Sequence, residues 1–165
     1  MSYSDPRDSV PGSVVRTVVD SFAERLDSLG DNSFKTTKIL GATAHDARRR
    51  LQQAVREAGR AEALLLVYYF GHGVLSEKDE LLLFFRDSQL KDFPSMLKLG
   101  DVVEWMRYYK VPRAVFILDC CYSGAVQGDL HVLREYRGKY FVMAAATPLE
   151  KARIDYGDNQ PYGIF

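Results

Sequence analysis

The stretch that decides the fold is ALLLVYYFGHG, residues 63–73, together with its counterpart AVFILDCCYSG, residues 114–124. Each begins as a continuous apolar run and ends in a polar turn that contains glycine. Continuous apolar runs are typical of strands covered on both faces, as in a parallel sheet. Ligands and catalytic groups collect at the carboxyl ends of such strands, because loops and helix N-termini meet there. The two turns therefore place a histidine, His72, and a thiol, Cys121, at one edge of the predicted sheet.

Helix and strand patterns alternate on both sides of these runs. Apolar residues recur at helical spacing over residues 13–29, and Gly30 is expected to end that helix. Thr43, with Asp46 three residues later, is expected to cap a second helix that Gly59 closes. The other predicted elements are a strand over 35–40, a hairpin arm over 81–85 at the sheet edge, a helix capped by Asp101 and Glu104 that runs through Tyr109, and a strand over 139–145. The alternation predicts an α/β fold with a doubly wound, mostly parallel central sheet.

Length and composition favour one domain, because the chain has 165 residues of which 47% are hydrophobic. We expect this domain to lack flanking elements. Residues 1–12 contain no strand-like run, and the sequence stops at Phe165 directly after a turn-rich segment. An initial central strand and a C-terminal portion are therefore expected to be missing from residues 1–165.

The charges of the chain balance, with 22 basic and 22 acidic residues. That balance excludes the long-range positive field of a nucleic-acid or anionic-membrane binder. The arginine triplet at 48–50 is interpreted as a solvated helix face. No apolar stretch approaches the roughly 18 residues of a membrane span, and the N-terminus lacks the pattern of a signal peptide. The chain is expected to be cytoplasmic and to contact neither nucleic acid nor membrane.

The histidine and the thiol together predict a cysteine hydrolase. A thiol of ordinary pKa is only a few per cent thiolate at neutral pH, so a catalytic cysteine needs a base or a positive potential nearby. His72 can act as base toward the thiol and then as acid toward the leaving amine. The backbone amides of Gly73 and Cys121 can stabilise an oxyanion between them. This chemistry requires no cofactor.

Three other classes fit the same motifs less well. A dinucleotide site of the G-x-G-x-x-G kind needs a glycine where Ser76 stands. A cysteine phosphatase needs an arginine six residues after its nucleophile, where Gln127 follows Cys121. A zinc site made from His72, Cys120 and Cys121 lacks a fourth ligand, so no metal is expected.

The two motifs also occur in a known order, since Cys121 follows His72 by 49 residues. YYFGHG followed by FILDCCYSG resembles the bacterial caspase-like and metacaspase family of cysteine peptidases. The resemblance implies a caspase-hemoglobinase fold, a Rossmann-like three-layer sandwich, with His72 and Cys121 as the catalytic dyad. It also implies that Cys121 is the nucleophile and Cys120 a buried neighbour. Both cysteines are expected to be reduced, because adjacent cysteines rarely form a relaxed disulfide.

The resemblance also bears on specificity. Metacaspase-like proteins carry an acid two residues before the catalytic cysteine that faces a basic P1 side chain, and Asp119 stands there in this chain. A buried carboxylate and a guanidinium form a charge-assisted pair, so cleavage after Arg or Lys is expected. An alternative role for Asp119 is to cap its own loop. Phe70 replaces a small serine of the family and is expected either to narrow the S1 pocket or to line its wall. The family's calcium-binding acids are not recognisable, although a loop at 77–80 is acidic, so calcium activation has no support in the sequence.

The same resemblance implies a regulated protease that acts on protein or peptide substrates in a bacterial stress, cell-death or defence pathway. An activating partner or a fused sensor domain would switch it. The alternative class is a catalytically silent caspase-like module that serves oligomerisation or regulation. Intact His72 and Cys121 favour the peptidase, because a silent module often loses one of them. Reactivity of Cys121 toward an electrophilic peptide separates the two classes.

Overall fold

The two apolar runs lie side by side as parallel strands in the computed structural model of the chain, which describes residues 11–30, 34–90, 92–123 and 139–146. The helices in these ranges are α1 (Gly12–Ser28), α2 (Ala44–Arg60) and α3 (Leu99–Tyr108). The strands are β1 (Leu64–Gly71), β2 (Gly73–Leu75), β3 (Leu81–Leu83), β4 (Leu97–Lys98), β5 (Arg113–Cys120) and β6 (Lys139–Ala144). The predicted alternation of helix and strand holds from α2 through β1 and α3 to β5, with three short strands between β1 and α3, but α1 is followed directly by α2.

Three parallel strands form the central sheet in the described part of the chain, in the order β1-β5-β6. Pairing of β1 with β5 runs from Leu64 opposite Arg113 to Gly71 opposite Cys120. The strand β6 extends the sheet on the other side of β5. Because β1 and β5 point the same way and are paired to their last residues, their carboxyl ends lie level. The predicted parallel sheet is confirmed, and both motifs leave it at the same edge.

Helices cover both faces of this sheet. On one face, β1 and β5 pack with α2 and α3 in a buried cluster that includes Val55, Met106 and Phe116. On the other face α1 packs on β1, where the ring centroids of Phe22 and Tyr68 are 4.2 Å apart. Neighbouring strand residues point to opposite faces, so α1 and the α2–α3 pair are separate layers. The predicted three-layer α/β sandwich is confirmed.

The predicted hairpin arm at residues 81–85 is only partly correct. The strands β2 and β3 do form an antiparallel hairpin, with Val74 opposite Leu82. However, β3 ends at Leu83, and β4 pairs with its other side to give an antiparallel sheet separate from the central one. All three leucines of β3 are buried. A strand that is covered on every side cannot form an outer edge of the central sheet, so this segment packs into the core instead.

The strand predicted at residues 35–40 is wrong, because this segment has no regular secondary structure and pairs with no strand in the described ranges. Its polar side chains are exposed and form ion pairs with two helices. Lys35 contacts Glu57 of α2 at 2.7 Å, and Lys38 contacts Asp20 of α1 at 2.8 Å. The β-branched residues Thr36, Thr37 and Ile39 favour a strand only where a partner strand lies alongside.

The helix boundaries follow tertiary contacts as well as local signals. The amide of Asp46 donates to the Thr43 hydroxyl at 3.1 Å, so the predicted cap of α2 is confirmed. The predicted stop at Gly59 is wrong, since α2 continues to Arg60. A Cβ at position 59 would collide with the backbone carbonyl of Tyr109, so this glycine is required by the approach of the α3 end to α2.

The start predicted for α3 is also wrong. This helix begins at Leu99 with Lys98 as its N-cap, and Asp101 lies in the first turn. The Asp101 carboxylate accepts from Arg48 of α2 at 2.5 Å, with Nη1 as the donor. An acid in the first turn favours a helix through the dipole. Here Asp101 also links two helices, which a one-dimensional capping pattern cannot reveal.

Candidate active site

The sheet register brings His72 and Cys121 together. The last paired positions of β1 and β5 are Gly71 and Cys120, and His72 and Cys121 are the residues that immediately follow. Neighbouring strands lie about 4.8 Å apart, so the two residues emerge next to each other. The strand β5 extends two residues beyond the predicted run at 114–118, which leaves Cys121 as the first residue after the sheet.

The backbone at Gly73 confirms how closely the two turns approach. A Cβ at this position would lie 2.5 Å from the carbonyl oxygen of Cys121 and 3.1 Å from the Sγ atom of Cys120. Real Cβ atoms do not approach a backbone oxygen so closely, and a backbone carbonyl cannot rotate away as a side chain can. Glycine at position 73 is therefore a condition for placing the histidine turn against the cysteine turn.

The two adjacent cysteines lie in different environments. Both are free thiols, as predicted. Cys120 is 1% exposed and belongs to the core cluster, whereas Cys121 is half-buried. Burial, with smaller contributions from Cys121 and Asp119, raises the pKa of the Cys120 thiol well above its ordinary range. Cys120 is therefore a neutral core residue, and Cys121 is the thiol that solvent can reach.

The backbone of the cysteine turn is held in an uncommon conformation. Tyr122, directly after Cys121, has a φ of 58°, in the left-handed region that non-glycine residues rarely adopt. Ser123 is fully buried, and its Oγ accepts from the amide of Ala146 at 3.0 Å, just beyond β6. Surrounding contacts must stabilise such a turn. The last residue of the sequence motif, Gly124, lies outside the described residues.

The histidine turn is held by hydrogen bonds to its backbone. The carbonyl oxygen of His72 accepts from the Phe84 amide at 3.1 Å and from the Tyr69 hydroxyl at 2.8 Å. The His72 ring packs edge-on against the Phe84 ring, with centroids 6.5 Å apart, and its Nε2 atom is buried. The chain direction at position 72 is therefore fixed from two sides.

The same contact bears on the predicted oxyanion donors. Gly73 is opposite Leu83 in the β2–β3 hairpin. The bond from the Phe84 amide to the His72 carbonyl makes these two residues a hydrogen-bonded pair, and the pairs of an antiparallel ladder alternate, so Gly73 and Leu83 are not hydrogen-bonded to each other. The N–H of Gly73 is therefore directed away from β3. The oxyanion role of this N–H stays a prediction.

The two predicted S1 residues are also brought together. Phe70 and Asp119 are register partners in neighbouring strands, and both are buried, at 8% and 3% exposure. The Tyr68 hydroxyl lies 3.5 Å from Oδ2 of Asp119, the outer limit for a hydrogen bond. Burial and the Asp119 carboxylate raise the pKa of Tyr68 above its ordinary range. The carboxylate is thus covered by Tyr68, which in turn packs under α1.

Sequence reasoning did not identify Tyr69 and Ser123 as parts of the site. Each of these residues has a feature in the sequence that could have identified it. Tyr69 places a hydroxyl inside an otherwise apolar run, and a buried hydroxyl must find a hydrogen-bond partner. Ser123 directly follows the aromatic residue of the cysteine turn, where a small hydroxyl side chain commonly bonds backbone groups.

No cluster of three or more potential metal-binding side chains occurs within the described ranges. The acidic loop at 77–80 contributes Glu80, whose carboxylate accepts from Lys98 at 2.9 Å. That hydrogen bond and ion pair lower the pKa of Glu80. Glu80 therefore joins the hairpin to β4. None of the described helices is long and apolar enough to cross a membrane.

A three-layer α/β sandwich whose histidine and cysteine turns follow neighbouring parallel strands defines a caspase-like domain. The chain belongs to the family described as Raptor N-terminal CASPase like domain, whose family model matches residues 3–129. That match includes both His72 and Cys121. Neither the curated proteins nor the solved structures give a match.

The family match confirms part of the resemblance stated from sequence. The caspase-like class is confirmed, whereas the narrower assignment to bacterial metacaspase peptidases has no support in the match. The family's description names a fold and no peptidase activity. Activity must therefore be argued from the residues of this chain.

Proposed function

We propose that this caspase-like domain is a cysteine endopeptidase in which Cys121 is the nucleophile and His72 the acid and base. The register carries the proposal, because Gly71 opposite Cys120 makes His72 and Cys121 neighbours at the carboxyl edge of a parallel sheet. Cys121 is half-buried and has solvent access, while the adjacent thiol is sealed in the core.

The proposed reaction is an acyl transfer in two halves. The thiol proton of Cys121 passes to His72, and the sulfur attacks the peptide carbonyl, whose oxygen becomes an oxyanion. The N–H groups of Gly73 and Cys121 stabilise that oxyanion. His72 then donates its proton to the departing amine as the carbon–nitrogen bond breaks. Water, deprotonated by His72, hydrolyses the thioester and restores the thiol. These steps use no cofactor, and the test below compares activity with and without calcium.

The proposed substrates are proteins or peptides with Arg or Lys at P1. Asp119 supplies a carboxylate two residues before the nucleophile, and Phe70 lies beside it in the register. A buried carboxylate favours a guanidinium that can donate two hydrogen bonds. Because Asp119 is 3% exposed beneath Tyr68, the basic side chain must displace the Tyr68 hydroxyl to reach it. A cytoplasmic role under an activating partner or sensor domain belongs to the same proposal.

A silent interaction module is the second candidate, and the family match favours it. The family's description names the N-terminal domain of Raptor as caspase-like and assigns it no peptidase activity. In a silent module, the close packing of the two turns would serve only to hold the fold. Such a module would place its thiol without activating it.

The test uses the full chain with peptides that release a fluorophore after Arg, Lys or Asp, with and without calcium. Three variants are compared: Cys121→Ala, Cys120→Ala as the matched control, and His72→Ala. We expect cleavage after Arg and Lys that disappears in Cys121→Ala and His72→Ala but persists in Cys120→Ala. Alkylation by iodoacetamide, located by mass spectrometry, should modify Cys121 and spare Cys120.

Two results would argue for the silent module. One is an absence of turnover in every variant, with Cys121 alkylated no faster than a free thiol in solution. The other is alkylation of Cys121 at the same rate with and without His72. Cleavage after Asp alone would retain the peptidase and overturn the role assigned to Asp119.

A further inference from the structure

We propose that Tyr69 is the positioning residue of the site, and that its hydroxyl holds the turn that carries His72. This inference deepens the proposed function and rests on it. Tyr69 lies in β1 three residues before His72, and its side chain extends along the strand to the turn. It does not touch the reacting atoms and acts through the backbone.

The Tyr69 hydroxyl lies among three backbone groups. It is 2.8 Å from the carbonyl oxygen of His72, 2.9 Å from the carbonyl oxygen of Phe84, and 3.1 Å from the amide of Phe84, which donates to it. A hydroxyl has one proton and two lone pairs, so it accepts from the amide and donates to one carbonyl at a time. Enclosure in this position raises the pKa of Tyr69 well above its ordinary range, chiefly through burial.

These contacts join the ends of two strands. The chain leaving β1 passes through His72, and the chain leaving β3 passes through Phe84. The Phe84 amide also donates to the His72 carbonyl at 3.1 Å. Tyr69 thus lies where two backbone segments meet, and its hydroxyl links both of them. Removing the hydroxyl would take away one hydrogen bond from the His72 carbonyl and leave the bond from the Phe84 amide.

Gly71 belongs to the same arrangement. A Cβ at position 71 would lie 2.8 Å from the Tyr69 hydroxyl oxygen. The hydroxyl therefore occupies the space that a side chain at 71 would take. The sequence Tyr-x-Gly-His forms one structural unit, in which the glycine makes room for the hydroxyl and the hydroxyl positions the histidine.

The ring and the hydroxyl of Tyr69 have separable roles. The ring packs edge-on against Phe85, with centroids 6.3 Å apart, and joins the core cluster. A phenylalanine keeps that packing and loses the hydrogen bonds. A catalytic pair must be held within about 0.5 Å of its productive geometry, so freedom in the His72 turn should reduce kcat more than it reduces substrate binding.

The experiment compares Tyr69→Phe with Tyr108→Phe, a matched control at a residue that is 78% exposed on α3. We expect Tyr69→Phe to lower kcat by about tenfold and to leave KM within about twofold, because one hydrogen bond that positions His72 is lost. Tyr108→Phe should match the parent chain in both. A kcat unchanged in Tyr69→Phe, or a loss confined to KM, would overturn the proposal.

A second readout does not depend on peptidase activity. The chain has three histidines, so imidazole NMR signals can be assigned by single substitutions. In Tyr69→Phe we expect the His72 signals to shift or broaden while those of His45, on α2, stay in place. Unchanged His72 signals would overturn the positioning role even in a protein without turnover. If the His72 signals shift in a protein that cleaves no peptide, the positioning role of Tyr69 is supported and the proposed peptidase activity is contradicted.

A double-mutant cycle with Gly71→Ala tests the structural unit directly. In the parent chain the added methyl collides with the Tyr69 hydroxyl, and in Tyr69→Phe that atom is gone. Gly71→Ala should therefore broaden or shift the His72 signals more in the parent chain than in the Tyr69→Phe background. It should also lower the free energy of unfolding more in the parent chain than in that background. Equal effects in both backgrounds would contradict the proposed unit.

Discussion

Gly73 shows what a single missing side chain contributes to this molecule. The absence of a Cβ allows the β2 backbone to approach the carbonyl of Cys121, and no rotation of a neighbouring side chain could create the same space. The pattern GHG is visible in the sequence, but the packing that requires glycine at position 73 is not. The sequence predicts only an oxyanion role for the amide of Gly73, and the close approach to the cysteine turn is seen only in the structure.

We expect Gly73→Ala to destabilise the domain by about 1–3 kcal/mol, because the new methyl overpacks a site bounded by backbone. The matched control is Gly100→Ala in α3, where a Cβ would meet nothing within 4 Å. That control should be neutral or stabilising by up to about 1 kcal/mol, since alanine is the better helix former. Urea unfolding of both variants measures the difference, and equal stabilities would contradict the close approach.

At the scale of elements, the cysteine turn depends on β6 as well as on β5. The buried hydroxyl of Ser123 accepts from the Ala146 amide at 3.0 Å, and the amide of Ala145 donates to the carbonyl of Leu118 at 3.0 Å. These bonds join the two strand ends next to the left-handed residue Tyr122. Strain at Tyr122 is therefore countered by contacts from a strand that is distant in sequence.

We expect Ser123→Ala to cost about 1–2 kcal/mol, because it removes the partner of the Ala146 amide. The turn should also relax, which would change the rate at which iodoacetamide modifies Cys121. The exposed Ser28, whose hydroxyl donates to the Arg25 carbonyl at 2.7 Å at the end of α1, gives a matched serine control. If Ser123→Ala and Ser28→Ala have the same unfolding free energy and alkylation rate, Ser123 does not hold the turn.

For the molecule as a whole, the core contains acidic groups that remain protonated when folded. Burial raises the pKa of Cys120 and of Tyr69 well above their ordinary values. The unfolded chain loses these protons from about pH 8.5 for cysteine and about pH 10 for tyrosine. Above those values the folded state binds more protons than the unfolded state. The free energy of unfolding must therefore fall as pH rises.

We expect this free energy to begin falling near pH 8.5 and to fall more steeply above about pH 10, with a limiting slope of about 1.4 kcal/mol per pH unit for each buried group. Urea unfolding between pH 7 and 10.5 measures the curve. Cys120→Ala should remove the first part of the decline and leave the second. A variant curve parallel to that of the parent chain would show that Cys120 does not contribute.

Local sequence patterns predicted much of the fold, and they failed where contacts between residues distant in sequence decide whether a segment forms a helix or a strand. The apolar runs predicted β1 and β5 because continuous hydrophobicity requires cover on both faces, and Thr43 with Asp46 predicted a cap that involves only neighbouring residues. The segment at 35–40 contains β-branched residues that favour a strand, but its lysines pair with helices and no strand lies beside it in the described ranges. The single-domain prediction with missing flanks stays a prediction, since residues 147–165 lie outside the described ones.

The sequence by itself determined the α/β class, because continuous apolar runs require cover on both faces, and the candidate dyad, because of the chemistry of histidine and thiol. The caspase-like class came from the resemblance of the two motifs to a known family. Only the tertiary structure decided which neighbours hold the dyad. The register that makes His72 adjacent to Cys121, the Tyr69 hydroxyl and the Ser123 contact to Ala146 all join residues on different strands or at strand ends. Such contacts depend on how the strands align in space, and a linear pattern carries no information about that alignment.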